Sequence, residues 1–240
     1  MTRPLPPVSV DPVNGLLLQR LLGPDPRVIL EVGANHGQHT QLFLRTFPSA
    51  RIHAFEPDPR AIEAFRRQVS DRRVTLHEIA IGAANGRAQF HASNGFPPDA
   101  TPDVKAAYPK GWDQSGSLRK PKTHVSKWPW CRFPRTIGVD VRTLDTWSGK
   151  HEPGPIDFIW ADMQGAEGDL VAGGRETLAL PLHRVLRRRA LRRRAHAHRA
   201  PRHASRLRDR EALRVRHPAA QRADRLRAVC SASFGSRLPC

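Results

Sequence analysis

The sequence predicts an α/β fold, a Rossmann-like sheet with helices on both faces. Three stretches predict it. Residues 27–59, RVILEVGANHGQHTQLFLRTFPSARIHAFEPDP, read as an apolar strand, a glycine-containing turn, a helix and a second strand that stops at Glu56. Residues 74–81, VTLHEIAI, read as a third strand. Residues 155–163 read as a buried strand that delivers Asp162 at its end, ahead of Gly165 and a further helix. In open α/β sheets ligands bind outside the carboxyl ends of the strands, so Glu56 and Asp162 stand where chemistry is expected.

Gly33 and Gly37 remove side chains where the chain turns sharply from strand to helix, so a ligand can approach bare backbone. The helix that follows starts near His39 and Thr40, and its free N–H groups favour a carboxylate or other anion. Glu56 lies about 20 residues beyond the turn, where an acidic residue takes ribose hydroxyls. The turn is not G-x-G-x-x-G: its glycines are four positions apart, with Asn35 between them. That spacing counts against a dinucleotide and its pyrophosphate. An adenosyl ligand with an amino-acid arm fits better, because the arm needs both an acceptor, Glu31, and donors, the N–H groups of the turn. The plainer alternative is an ordinary strand–turn–helix with a surface glutamate.

Residues 1–13 are proline-rich and read as an irregular arm. Leu16, Leu17, Leu18, Leu21 and Leu22 then give a short helix stopped by Gly23-Pro24. Pro59 is placed to open a helix with Ile62, Phe65 and Val69 on its apolar face. Residues 82–86 read as a turn, and 87–92 as the hairpin partner of the third strand. Residues 93–135 keep no sustained period and are rich in Pro, Gly, Lys and Trp. Loops this long are uncommon unless they do a job such as covering an active site. On that reading Trp112, Ser115, Ser117, Trp128 and Trp130 line a substrate pocket; on the other, the stretch is a surface excursion whose Trp rings pack on the domain. Order resumes over residues 136–141. A short helix follows around Leu144 and Trp147, and another runs from Gln164 through Leu170, Val171 and Leu178.

The net charge of +18 suggests a nucleic-acid partner until it is divided along the chain. Residues 179–240 hold 18 Arg, no Lys and three acids, a net of +15, whereas the first 178 residues hold 22 basic and 19 acidic groups, a net of +3. The basic character belongs to the C-terminal segment, so no specific nucleic-acid partner is expected of the domain. No apolar run approaches the roughly 18 residues of a membrane span, and MTRPLPPVSV lacks a signal peptide's apolar stretch. Cys131, Cys230 and Cys240 have no metal-ligand spacing, and their small number suggests a reducing compartment. A cytoplasmic protein without a metal is the expectation.

The segments VILEVGANHGQHT, IHAFEPDP, HEIAIGAANG, GSLRKPKTH and, above all, PIDFIWADMQGAEGDLVAGGRETL occur in an order that resembles the FkbM-type family of S-adenosylmethionine-dependent methyltransferases. The resemblance covers residues 27 to about 178. It implies a class I methyltransferase sheet, S-adenosyl-L-methionine as cofactor, and methyl transfer to a nucleophile, a hydroxyl oxygen of a small molecule or glycan. By position it implies that Glu31, Gly33, Ala34, Asn35, Gly37 and Thr40 surround the methionine end of the cofactor. Glu56 and Pro57 would then take the ribose, and Glu78 and Ala80 would flank the adenine. Asp162 and Gln164, as catalytic residues, would face the methyl group or the acceptor.

After Leu178 the resemblance stops. The family continues with another strand, a helix and a terminal hairpin, whereas this chain reads LPLHRVLRRRALRRRAHAHRAPRH, without tyrosine or strand alternation. One reading is a basic tail, which would make the chain a nucleic-acid-associated binding protein. The other is a frameshift near residues 176–179, because suitable codons read one base later can spell a strand, an acidic loop, a helix and a terminal strand. The expected organisation is an arm and short helix over 1–26, the methyltransferase-like domain over 27–178, and an arginine-rich or frameshifted segment over 179–240. The sheet is then missing its last strands, and the strand at 155–163 is left as a bare apolar edge. Titration separates the ligand classes: S-adenosylmethionine should bind and NAD should not, and saturable binding of NAD alone would contradict the reading.

Overall fold

A computed structural model describes residues 13–179, together with the backbone of residues 184–186. The irregular arm expected at the start lies outside the described residues. So, apart from that backbone, does the arginine-rich segment with its nucleic-acid and frameshift readings.

Helix α1 (Gly15–Leu22) is capped by Asn14, whose side chain accepts from the Leu17 N–H at 3.0 Å, and it ends at Gly23 with φ 83°. Strand β1 (Val28–Val32) is buried at all five residues, which its near-continuous apolar run anticipates for a parallel strand covered on both faces. Helix α2 (Gln38–Thr46), strand β2 (Arg51–Phe55), helix α3 (Pro59–Gln68) and strand β3 (Val74–His77) follow. Asp58 caps α3, and Pro59 supplies its first turn.

Strands β4 (Ala80–Ile81), β5 (Gly86–Asn94) and β6 (Arg132–Arg142) form a separate sheet in the order β4-β6-β5. Between β5 and β6 lie two short helices, α4 (Pro102–Ala107) and α5 (Thr123–Lys127). The remaining elements are α6 (Leu144–His151), β7 (Phe158–Ala161), α7 (Glu167–Ala172), α8 (Arg175–Ala179) and β8 (Arg184–Leu186). The main sheet has the order β3-β2-β1-β7-β8, and every pairing in it is parallel.

Alternate residues of the main sheet feed two cores. On one face Ile29, Ile52, Phe158 and Trp160 meet Leu18 of α1 and Phe43 of α2. On the other, Leu30, Phe55, Ile159 and Ala161 meet Leu144 and Trp147 of α6 and Leu170 of α7. Helices thus cover both faces, and no helix among the described residues is long and apolar enough to cross a membrane.

Four expectations are corrected. The third strand is two: β3 pairs with β2, whereas Ala80–Ile81 leaves for the second sheet and pairs with β6. The partner of β5 is β6, across the long excursion, not the third strand. The helix expected from Gln164 to Leu178 breaks at Gly173-Gly174, where a side chain at Gly173 would lie 2.2 Å from the Gly82 carbonyl oxygen. Asp145 accepts from the N–H groups of Glu176 and Thr177 and restarts the chain as α8. Finally, the edge of β7 is not bare: backbone at 184–186 pairs with it, Phe158 opposite Arg184 and Trp160 opposite Leu186.

Beneath α6, His53 and His77 stack among Phe55, Trp147 and His151, with His53 Nδ1 and His77 Nε2 3.2 Å apart. Burial lowers the pKa of both rings to about 4; the charge of Arg51 adds to this at His53, and that of His53 at His77. The unfolded chain takes up these protons near pH 6.5 and the folded chain resists until about pH 4. Their stabilising contribution is therefore complete above about 6.5 and falls as pH drops towards 4. The buried carboxyls described below titrate in the opposite sense, so the comparison is with the His53→Asn/His77→Asn variant. The wild type's stability relative to that variant should shrink between pH 7 and pH 5 in thermal melts; a constant difference would contradict the assignment.

Candidate functional site

Strand register levels the carboxyl ends of the main sheet: Val32 lies opposite both Phe55 and Ala161, and Phe55 opposite His77. The next residues, Gly33, Glu56, Glu78 and Asp162, therefore leave the strands along one edge. β1 is the central strand between β2 and β7, and the crevice of an open sheet forms where connections diverge around such a strand.

The turn after β1 holds three residues in the left-handed region: Gly33 (φ 86°), Asn35 (φ 47°) and Gly37 (φ 85°). Asparagine tolerates this conformation better than most residues. Gly33 and Ala34 both donate to the Phe55 carbonyl, at 2.9 and 3.0 Å. A methyl group on Gly33 would lie 2.2 Å from the backbone oxygen of Asp162, and the Asp162 N–H donates to Val32 O at 2.8 Å. Gly37 is pressed against Phe65 and Val69 of the α3 side.

Two carboxyls are buried at this turn. Glu31 has no exposed surface; Oε2 accepts from the Thr40 hydroxyl, and Oε1 has no hydrogen-bond partner among the described residues. Burial pushes its pKa up to about 8 against the opposing bonds from Thr40, and the nearby Glu56 and Asp162 add to the rise. Glu56 accepts from the N–H groups of Asn35 and Asp58, both at 2.8 Å, and burial raises it to about 8 as well. A buried carboxyl with an unpartnered oxygen and no counter-charge is completed by a cationic donor such as an ammonium. With Asn35 Oδ1 in the adjoining turn also buried and without a hydrogen-bond partner among the described residues, the residues present fit the ammonium of an amino-acid arm.

The remaining expected residues divide. Thr40 serves to orient Glu31. Ala34 packs its methyl against Ala54 and Phe65, so only its backbone faces the turn. Pro57 and Glu78 line a groove of about 580 Å³ between α3 and the β5–β6 hairpin, where Glu78 pairs with Arg66. Ala80, expected beside the adenine, is packed into the core of the second sheet with Phe90, Ala92, Val139 and Val141.

Across the crevice, Gln164 (φ 53°) donates from Nε2 to Asp162 Oδ1 at 2.9 Å. The turn that carries it is held by Glu167, a residue the sequence reading did not single out. Its buried Oε1 accepts from the N–H groups of Met163 and Gly165, at 3.0 and 3.2 Å. An acid in the first turn of a helix, three positions after a loop residue, is the available signal.

The long excursion covers this edge. Lys110 pairs with Glu63 on α3, and Asp113 reaches Asn35 and His36 in the glycine turn. Farther on, Ser117 donates to Met163 O at 3.0 Å, and Arg119 pairs with Asp169 on α7. Residues 110–119 are thus a strap from the β2 side to the β7 side. Trp112 is buried with Tyr108 and Cys131, and Trp128 and Trp130 pack against them. Ser115 accepts from Trp112 Nε1 at 3.2 Å. The Trp rings thus neither line a pocket nor pack on the domain: they form the excursion's own core, while residues 110–119 lie across the sheet edge. Asp113 was missed because its partners lie 77 and 78 positions away.

The methyltransferase FkbM domain family matches residues 31–185, past Leu178 where the sequence reading ended the resemblance. The 2-O-methyltransferase NoeI of Sinorhizobium fredii (strain NBRC 101917 / NGR234) is 44% identical over 173 residues, which cover 72% of this chain and 67% of that protein. Among solved structures, phosphoethanolamine N-methyltransferase 2 of Haemonchus contortus in complex with S-adenosyl-L-methionine is similar at 13% identity and a TM-score of 0.24. That match covers 47% of this chain and only 34% of that one. The same enzyme with phosphomonomethylethanolamine and S-adenosylhomocysteine gives 12% identity and a TM-score of 0.23, with the same coverage.

Gly33 is where the two turns meet, so Gly33→Ala tests the geometry. The added methyl must displace the Asp162 carbonyl and hold φ 86°, at a cost of about 2–4 kcal/mol. Thermal melts should show a fall of several degrees, and a variant as stable as the wild type would contradict the close approach.

Proposed function

The chain belongs to the FkbM family of S-adenosylmethionine-dependent methyltransferases, and on that premise we propose that it methylates a hydroxyl oxygen of a sugar or other small molecule. The observation that carries the placement of the cofactor is Glu31, a buried carboxyl with one unpartnered oxygen beside a glycine turn and across from Asp162. A relative that is by name a 2-O-methyltransferase supports oxygen as the acceptor atom.

S-adenosyl-L-methionine, when bound, supplies an electrophilic methyl group on a sulfonium. Glu31 and Asn35 would hold the ammonium-bearing arm, with Gly33 and Gly37 letting the turn pack against Asp162 and α3 beside it. Glu56 would use the second lone pairs of its two oxygens on the ribose. Pro57 and Glu78 would border the adenosine at the groove beside α3. On the other wall, Asp162 would accept the proton of the acceptor hydroxyl, and Gln164 would keep its carboxylate in one orientation. The site's main work is alignment, with acceptor oxygen and methyl carbon about 3–3.5 Å apart. Glu167 contributes by fixing the turn that carries Gln164.

The test is transfer of isotope-labelled methyl to a panel of neutral sugars and oligosaccharides, with alkali-stable product taken as an ether. Asp162→Asn should lower kcat by about 10²–10⁴-fold while affinity for S-adenosylhomocysteine stays within about twofold. Full activity in that variant would remove Asp162 from the proton-accepting role.

A further inference from the structure

We propose that Asp113, on the strap, is a positioning residue that turns the side chains of Asn35 and His36 so that their acceptor atoms are presented to the ammonium of the cofactor's amino-acid arm. The proposal rests on the cofactor reading given above and adds to it a residue 77 positions from the turn in sequence.

The Asp113 carboxylate is buried and divided between two partners. Oδ1 accepts from Asn35 Nδ2 at 3.0 Å, and Oδ2 lies 2.9 Å from His36 Nε2. An ionised carboxylate can only accept, which decides the polarity of both neighbours. The Asn35 amide must turn its NH₂ group to Asp113 and leave Oδ1 on the far side. A His36 ring with a single proton carries it on Nε2 and leaves a bare lone pair on Nδ1.

Those two atoms, Asn35 Oδ1 and His36 Nδ1, are buried and without a hydrogen-bond partner among the described residues, as is Glu31 Oε1. Three unpartnered atoms within residues 31–36 are costly in a folded protein unless a ligand rich in N–H donors satisfies them. His36 is also held from its face: the Tyr108 ring lies 4.8 Å away, and Gln38 and Gln114 hold the Tyr108 hydroxyl. The strap therefore does more than cover the crevice, because its carboxylate sets which way the turn's hydrogen-bonding groups point.

Asp113→Asn is the discriminating variant because it preserves shape. One oxygen becomes an NH₂ group that must itself donate. Either His36 then moves its proton to Nδ1, or the Asn35 amide turns over, and in both cases one acceptor on the turn becomes a donor. S-adenosylhomocysteine, titrated calorimetrically into the chain of residues 1–240, should bind the variant about tenfold or more weakly than the wild type. The ligand-free melting temperature should move by no more than a few degrees. Imidazole ¹⁵N spectra of the wild type should show His36 protonated on Nε2, a reading that needs no variant to fold. Equal affinity in Asp113→Asn, or a wild-type His36 protonated on Nδ1, would overturn the proposal. No binding of S-adenosylhomocysteine to the wild type would instead overturn the cofactor reading beneath it.

Discussion

The α-carbon of Gly33 lies against the backbone carbonyl of Asp162 with no space for a methyl group between them, and the rest of the site depends on that contact. It allows the turn after β1 and the turn after β7 to close on each other. The parallel register keeps their parent strands level, and the Asp162 N–H completes the junction by donating to Val32. Buried Glu31 and Glu56 on one wall then face Asp162 and Gln164 on the other. A larger residue at position 33 would push the turn after β1 and the turn after β7 apart.

The arrangement is costly in the absence of a ligand. Two carboxyls are buried, with Glu56 adding to the rise in the Glu31 pKa and Asp58 and Asp113 to that of Glu56, and Asn35 and Gln164 hold left-handed backbone. The molecule offsets this with dedicated supports. Thr40 serves Glu31, the N–H groups of Asn35 and Asp58 serve Glu56, and Glu167 serves the Met163–Gly165 backbone. Asp113 serves Asn35 and His36 from the strap. A cation entering the crevice would favour the ionised form of Glu31 and give its Oε1 the partner it lacks among the described residues.

Much of this was legible in the residues themselves. A five-residue apolar run ending in Gly33, a second strand ending in Glu56 and a third ending in Asp162 place three strand ends on one edge, because period and glycine position are local signals. Features set by long-range pairing were not legible. The alternation in VTLHEIAI breaks at Glu78, where the chain changes sheets, but one residue out of phase does not say that the pairing partner changes with it. The partner of β5 lies beyond the whole excursion, and nothing in the composition of residues 184–186 distinguishes a strand against β7 from the arginine-rich run that follows. Asp113 is a lone acid in a basic stretch, and only the folded strap shows that it meets the glycine turn.

The central claim is that two turns and a strap, far apart in sequence, close on one ligand. Hydrogen–deuterium exchange with and without S-adenosylhomocysteine tests it most directly. The account predicts slowed exchange at residues 31–38, 56–58, 110–119 and 162–165 together. Protection confined to the groove between α3 and the β5–β6 hairpin, or none at all, would contradict it.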